Sequence, residues 1–464
     1  MSNDTSQGKK RAPNKWLAGI SISLAVLGFI MVIFSYATIT GAYKGAGKVL
    51  ALSWVAQWKM NYPDLEGSND CSKAWSPSID ATDPYMLPAY PDTYAAYWAL
   101  IMSQDKEVSP EPIAYQIKGK FPYARYMTFH VYDGATGDYF AALKDLDIKP
   151  DSGSVNPFQA NIDRTASNRS YTLWVVPEGA KLPQINGLKN VIRVPKQFVE
   201  SPIVMAIDRP DDGQPANAGV PLPNVHVFHA QTGEPVLRCN PLRLKSIIPS
   251  KKSGIKKAQT WDKMKTIGDG QAIRLYHSTG GGLYPNKHLS YLTTGLNTQF
   301  GNVALVKFKA PTTPNTQTGF GMFTHEEDIR FWSMCLGGMK ATNTSVCLVD
   351  DQAIIGDDGY VTLAIGPDSD DLRKLAKNNK INYMDWGYHQ YPDIIFRHLE
   401  GEKPFKYSSK NVPIVDVTLP LWDQGGERTI GVYSPAGFYC SLDDFEKNLC
   451  GIKDYKHAGL EFME

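Results

Sequence analysis

The stretch ARYMTFHVYDG at residues 124–134 decides the fold class, because apolar and polar side chains alternate along it with a period of two. On an extended chain Met127, Phe129 and Val131 would face one side, whereas Thr128 and His130 would face the other. The closing Asp-Gly pair is a turn signal. The stretch therefore predicts a β-strand with one apolar face.

A related stretch, IRFWSMCLGG, occupies residues 329–338, and it belongs to a longer internal repeat. Four further pairs of segments match in the same order along the chain. They are Tyr-Pro-Asp at 90–92 with Tyr-Pro-Asn at 284–286, IAYQIKGKFP at 113–122 with VALVKFKAP at 303–311, SYTLWVVPEG at 170–179 with GYVTLAIGPD at 359–368, and SPIVMAIDRP at 201–210 with YPDIIFRHLE at 391–400.

Short alternating strands separated by Gly, Pro, Asp and Asn are typical of β-sandwiches and jelly rolls. We therefore predict a mainly β protein with two tandem jelly-roll-like β-sandwich domains, at residues 76–240 and 284–464, joined by a basic linker at 241–283. Besides a membrane helix, we expect helices only near residues 93–103, 287–294 and 369–377.

The N-terminal region predicts a membrane anchor. Residues 16–39 contain no charged side chain, and a helix over them would be about 36 Å long, enough for a bilayer core of roughly 30 Å. A cleaved signal peptide is the alternative, although its apolar region is usually shorter. The basic tail at 1–15 predicts a cytoplasmic N-terminus, and the juxtamembrane segment at 40–75 would begin the exported part. This predicts a single-pass protein of the inner membrane with its bulk in the periplasm or outside the cell.

Composition supports a folded protein. The chain has a net charge of +1 with 42% hydrophobic residues, so nothing indicates a nucleic-acid partner. Its cysteines are disulfide candidates in an exported domain. Short separations suggest Cys335 with Cys347 and Cys440 with Cys450, which leaves Cys71 and Cys239. Other connectivities and free buried thiols remain alternatives.

Three segments of the first copy carry a family resemblance: GKFPYARYMTFHVYD, DLDIKPDSGSVNPF and GVPLPNV. With them the chain resembles bacterial envelope proteins that contain jelly-roll domains of unknown function, in the group numbered twelve-fourteen and twelve-fifty-four. The second copy, with IRFWSMC and INYMDWG, resembles a diverged repeat of the same domain. The resemblance implies a β fold in the cell envelope and carries no catalytic motif.

Arg125 and Arg330 occupy equivalent places in the two copies, each followed by an aromatic residue. An arginine at the start of a buried strand either pairs with a carboxylate or binds an anionic ligand. We expect a structural ion pair within each copy. The expected partners are Asp145 or Asp147 for Arg125, and Asp350 or Asp351 for Arg330.

Two histidines are candidates for acid–base chemistry. His130 lies on the polar face of its strand, and His325 lies in the acidic run THEED at 324–328. The ordinary interpretation of such a run is a solvated loop. We predict no metal ion and no cofactor, since zinc, nucleotide and serine-hydrolase motifs are missing from the sequence.

Aromatic residues in or near the repeated strands could line a pocket for an apolar small molecule, although core packing is the default. These candidates are Trp98, Trp174, Trp332 and Trp386.

The sequence favours a membrane-anchored extracytoplasmic binding or accessory protein that contacts an apolar small molecule or a membrane-protein partner. It favours this over an enzyme, because no catalytic motif is found. The alternatives are an envelope hydrolase or lyase acting on a lipid or aromatic substrate, and a structural subunit of a larger membrane complex. Convergence of His130, His325, Arg125 and Arg330 in one pocket would favour the enzyme.

Overall fold

A computed structural model describes residues 67–80, 90–103, 111–196, 200–209, 215–237, 239, 272–277, 284–316, 323–338, 343–387, 392–416 and 418–463. The predicted tail, the anchor at 16–39, most of the juxtamembrane segment and most of the basic linker lie outside these residues. No described helix is long and apolar enough to span a membrane. Below, "first half" means residues 67–239 and "second half" means 272–463.

The prediction of a mainly β protein is confirmed. The strands of the first half are β1 (Ile79–Asp80), β2 (Ala95–Ser103), β3 (Ile113–Lys120), β4 (Tyr126–Tyr132), β5 (Tyr139–Lys144), β6 (Ser170–Pro177), β7 (Val191–Val194), β8 (Glu200–Asp208) and β9 (Asn224–His229). Those of the second half are β10 (Ala272–Arg274), β11 (Leu289–Gly295), β12 (Val303–Lys309), β13 (Ile329–Gly338), β14 (Asn343–Val349), β15 (Tyr360–Gly366), β16 (Asn382–Asp385), β17 (Pro392–Glu400) and β18 (Ala436–Cys440). The described α-helices are α1 (Asp370–Asn378), α2 (Glu427–Ile430) and α3 (Leu442–Asn448).

The described strands form four sheets, two in each half. In the first half the orders are β7-β6-β3-β9, the first outer sheet, and β1-β2-β8-β4-β5, the first inner sheet. In the second half they are β11-β17-β13-β14, the second inner sheet, and β10-β18-β12-β15-β16, the second outer sheet. Apart from the edge strands β1 and β10, both halves have the same order of corresponding strands.

Each half packs its two sheets around its own apolar core. In the first half, Phe129 on β4 and Leu173 on β6 belong to one buried cluster. In the second, Trp332 on β13 and Phe308 on β12 belong to another, with ring centroids 5.1 Å apart. Pairing is antiparallel except for β6 with β7 and β15 with β16, where parallel strands need a crossover. In the second half α1 makes that crossover.

Two of the predicted helices are wrong and one is confirmed. Residues 95–103 and 289–295 are strands β2 and β11. Side chains on both faces of these strands are buried or partly buried, so the strict alternation of a half-exposed strand is lost and the segments resemble a helix. The helix near 369–377 is α1, which begins after Ser369, whose side chain accepts a hydrogen bond from the Leu372 amide.

Candidate functional site

The polar face of β4 lies between the two halves. Met127, Phe129 and Val131 enter the first core as predicted, while Thr128 and His130 are also buried, at 0% and 2% exposure. They are buried because the second half covers this face of the first inner sheet. A surface that looks solvent-facing in the sequence is therefore an internal contact, and its polar groups need partners across it.

Arg125 and Arg330 make reciprocal ion pairs across this contact. One nitrogen of Arg125 lies 2.6 Å from both carboxylate oxygens of Asp350 in the second half. Arg330 donates to Asp145 of the first half at 2.7 and 2.9 Å, and to the carbonyl of Arg125 at 2.7 Å. The prediction of ion pairs within each copy is therefore wrong. Each arginine reaches the equivalent aspartate of the other copy.

The chain geometry explains the exchange. Asp145 and Asp350 each begin a one-turn 3-10 helix, directly after the edge strands β5 and β14. Asp145 also binds within its own half, since it accepts hydrogen bonds from the Met127 and Leu146 amides. Both arginines and both aspartates are at most 7% exposed, so each charge depends on its partner in the opposite half.

Further carboxylates surround Arg125. Burial would lower its pKa, but Asp350, Asp208 and Asp351 together raise the pKa above its usual value. Burial raises the pKa of Asp208 to about 8, with Arg125 opposing that shift. The guanidinium therefore stays charged, while burial makes the Asp208 carboxyl a weaker acid than a solvated aspartate.

A second polar cluster, at Asp92, links β13 and β17 to the first half. Asp92 accepts a hydrogen bond from Ser333 and lies 3.7 Å from the guanidinium of Arg397. Arg397 donates to the Tyr90 carbonyl at 2.6 Å and to Sγ of Cys335 at 2.7 Å. Asp92, Cys335 and Cys347 have ligand atoms within 4.8 Å of one another, but the two sulfur atoms are bonded to each other. The cluster therefore connects the two halves, and the guanidinium of Arg397 supplies the positive charge next to Asp92.

A third cluster lies around Asn286, the residue of the second copy that corresponds to Asp92. The Tyr126 hydroxyl lies 2.8 Å from Nδ1 of His288 and 3.1 Å from Oδ1 of Asn286. Thr128 Oγ1 lies 3.4 Å from Nδ1 of His130 and 3.3 Å from Nδ1 of His288. These contacts connect β4 with the turn before β11 in one hydrogen-bonded network.

The electrostatics keep both imidazoles neutral. Burial lowers the pKa of His130 well below its usual value, helped by His288 and Lys287. Burial and the Lys144 ammonium lower the pKa of His288 to about 4, although Asp145 opposes this. The Lys287 amide donates to Nε2 of His130 at 2.9 Å, so that nitrogen acts as an acceptor.

The repeated Tyr-Pro turns build both clusters. Tyr90 and Tyr284 adopt left-handed backbone angles, with φ of 47° and 56°. In each turn the next polar residue donates its amide to a tyrosine hydroxyl, Asp92 to Tyr97 at 3.2 Å and Asn286 to Tyr291 at 3.0 Å. The repeated motif was the sequence signal for Asp92 and Asn286, which sequence reasoning did not assign to a site. Nothing in the sequence marked Arg397 or His288.

His325 lies behind the rings of Phe158 and Phe323, which the Arg330 guanidinium contacts from 5.9 and 5.6 Å. His325 is buried with Nε2 2.9 Å from the Phe158 carbonyl, and its ring stacks on Phe323. The acidic side chains around it have protein partners, as Glu326 pairs with Lys403. The acidic run is therefore tied into the protein's own hydrogen bonds and ion pairs.

The tryptophan candidates are spread over four places. Trp98 is in the first core and Trp332 in the second. Trp174 packs in a separate cluster with Leu182 and Ile185. Trp386 packs partly against the second core and donates to the Asn302 carbonyl at 2.8 Å. The four rings therefore act as packing residues at these positions.

The predicted disulfides Cys71–Cys239, Cys335–Cys347 and Cys440–Cys450 are all formed. Cys335–Cys347 joins directly paired residues of β13 and β14, beside the Asp92 cluster. Cys71–Cys239 closes the first half, from the segment before β1 to the segment after β9. All six cysteines are used, which removes the alternative of free thiols.

No protein-family model matches this chain, and no curated protein matches it. Among solved structures it is similar to an uncharacterized protein from Burkholderia cenocepacia, with a TM-score of 0.47 and 11% identity over 81% of this chain and 95% of that one. It is also similar to the VPA0106 protein from Vibrio parahaemolyticus, with a TM-score of 0.39 and 12% identity over 85% of this chain and 96% of that one.

Proposed function

We propose that this protein is a membrane-anchored extracytoplasmic binding or accessory protein, in which two tandem jelly-roll-like domains act as one rigid unit. The proposal places the domains at residues 76–240 and 284–464. The main observation in its favour is that Arg125 and Arg330, the repeated candidates for catalysis or anion binding, form buried ion pairs that hold the two halves together. A side chain fixed in a buried ion pair is a poor acid, base or anion ligand.

The partner in this proposal is a membrane protein or an apolar small molecule. The support comes from the uncharged segment at 16–39, which would hold the β domains beside a bilayer. The enzyme alternative is disfavoured by the different surroundings of the two histidines, since His325 is bound to the Phe158 carbonyl while His130 lies in the Tyr126 network. A catalytic pair would need these groups within hydrogen-bond reach of one substrate.

The test is a pull-down of the full chain in mild detergent, followed by mass spectrometry of co-purifying proteins and small molecules. The matched control is residues 1–66 fused to an unrelated soluble domain, which captures whatever binds the anchor alone. A stoichiometric protein or ligand that is found with the full chain and not with the control supports the proposal. A lone chain that turns over lipid or aromatic esters would contradict it.

A further inference from the structure

Within the connection between β17 and α2, the segment at 414–422, called the loop below, presents an unusual concentration of apolar surface. Ile414 and Leu419 are each 56% exposed, and Trp422 is 55% exposed. Other exposed large apolar side chains in the described chain, such as Leu188 and Phe300, are scattered over different elements. Single exposed apolar residues are ordinary, but three in one short loop need a reason.

The loop is anchored from beneath. Val415 and Leu421 are buried in a small cluster with Tyr276. Their sequence neighbours Ile414 and Trp422 therefore point away from the protein. The outward direction of the apolar side chains is thus set by the buried residues beside them.

Polar contacts hold the described ends of the loop. Gln424 accepts a hydrogen bond from the Asp416 amide at 2.6 Å and donates to the Asp416 carbonyl at 2.9 Å, which closes the loop. The Trp422 carbonyl accepts from Arg274 at 2.9 Å, and Arg274 is held by the buried carboxylate of Glu427 at 2.7 Å. A surface that is already ordered loses little conformational entropy when it binds.

Two exposed lysines precede the apolar residues in the same connection. Lys406 and Lys410 are exposed, and Asn411 donates to the Lys406 carbonyl at 2.9 Å, so both lysines project from one turn that leads into the loop. The acidic residue next to Trp422, Asp423, is paired with Arg428 at 2.8 Å. The turn and loop therefore combine Trp, Leu and Ile with two exposed lysines, beside one carboxylate of the loop itself, Asp416, which accepts hydrogen bonds from the Thr418 amide and hydroxyl.

We propose that this loop, with Ile414, Leu419 and Trp422, inserts into the interface of a lipid bilayer that carries anionic headgroups. Tryptophan favours the headgroup level, aliphatic side chains favour the acyl boundary, and lysines favour anionic lipid. The inference rests on the proposed membrane anchoring, because a tethered domain needs only a weak contact to remain on the surface. The loop would fix the orientation of the β domains on the membrane.

The test uses the full chain reconstituted in phosphatidylcholine and phosphatidylglycerol vesicles, with or without bromine on the acyl chains. The fluorescence that Trp422→Phe removes is the contribution of Trp422. We expect bromine placed near the headgroup end of the acyl chains to reduce this contribution at least about twofold, since the ring would lie at the headgroup level beside it. Trp386→Phe is the matched control, and its contribution should not change. Both variants are first checked for an unchanged unfolding midpoint.

The outcomes separate this inference from the proposed function. If the chain floats with the vesicles while bromine leaves the Trp422 contribution unchanged, the loop does not enter the bilayer and the inference fails alone. A protein partner would then be the occupant of the loop. If the chain does not float with the vesicles, the anchoring itself fails and both proposals fall. Greater quenching with more phosphatidylglycerol, abolished in Lys406→Gln/Lys410→Gln, would support the role of the lysines.

Discussion

Arg125 of the first half binds Asp350 of the second half, with one guanidinium nitrogen 2.6 Å from each carboxylate oxygen. The equivalent arginine, Arg330, binds the equivalent aspartate, Asp145, in the opposite direction. The two halves therefore exchange ion pairs as the two subunits of a symmetric dimer would. This exchange makes the contact between the halves part of the folded core.

Arg125→Met should destabilise the protein by about 3–5 kcal/mol, because it leaves the Asp350 carboxylate buried without its cation. Arg125→Met/Asp350→Asn should lose less than the sum of the single changes. Urea unfolding of the four proteins measures the coupling. Arg373→Met removes a partly exposed ion-pair network and should cost less than about 1 kcal/mol. Equal losses from Arg125→Met and Arg373→Met would contradict the interpretation.

His288 should make the protein sensitive to acid. Burial and Lys144 lower its pKa to about 4 in the folded protein, whereas an unfolded histidine has a pKa of about 6.5. Between these values the unfolded chain binds more protons, so stability is complete above pH 6.5 and falls as the pH drops toward 4. Between pH 6.5 and pH 4 the unfolding free energy of His288→Gln should therefore fall by up to about 3 kcal/mol less than that of the wild type. Unfolding free energies across this pH range test it, and an unchanged slope in the variant would exclude the effect.

Asp208 should make the protein less stable as the pH rises, which is opposite to the effect of His288. Burial raises its pKa to about 8, so from about pH 4 upward the unfolded chain releases this proton before the folded protein does. Its contribution to stability therefore decreases as the pH rises through this window. Asp208→Asn carries no ionisable group, so its stability relative to wild type should increase from pH 4 to pH 8. A difference between the two proteins that does not vary with pH would show that Asp208 ionises normally.

The disulfides should differ in how much they contribute to the free energy of unfolding. Cys71–Cys239 spans 168 residues and Cys335–Cys347 spans 12. Loop-closure entropy then predicts that replacing the first pair by serine costs about 5 kcal/mol, against about 3 kcal/mol for the second. Thermal and urea unfolding of the two double-serine variants compare these costs. The reverse order would show that the Cys335–Cys347 bond contributes mainly through the Asp92 and Arg397 contacts beside it.

How far the sequence predicts the candidate site depends on the range of the interactions. The alternation around Phe129 identified the core face of β4, and the repeated Tyr-Pro motif marked the turns that hold Asp92 and Asn286. The sequence could not show that the polar face of β4 is covered, because the covering strands come from the other half. Strand β2, with both faces buried, also resembled a helix.

The sequence by itself determined the period of the strands, the repeated order of segments, the α1 helix and the disulfide pairs suggested by spacing. These follow from local chemistry, since side-chain alternation, capping and short loops act over a few residues. The tertiary structure alone decided which aspartate each arginine binds, that His130 meets His288, and that Ile414, Leu419 and Trp422 remain outside. These outcomes depend on which residues distant in the chain meet when the two halves pack together, and no single segment of the sequence contains that information.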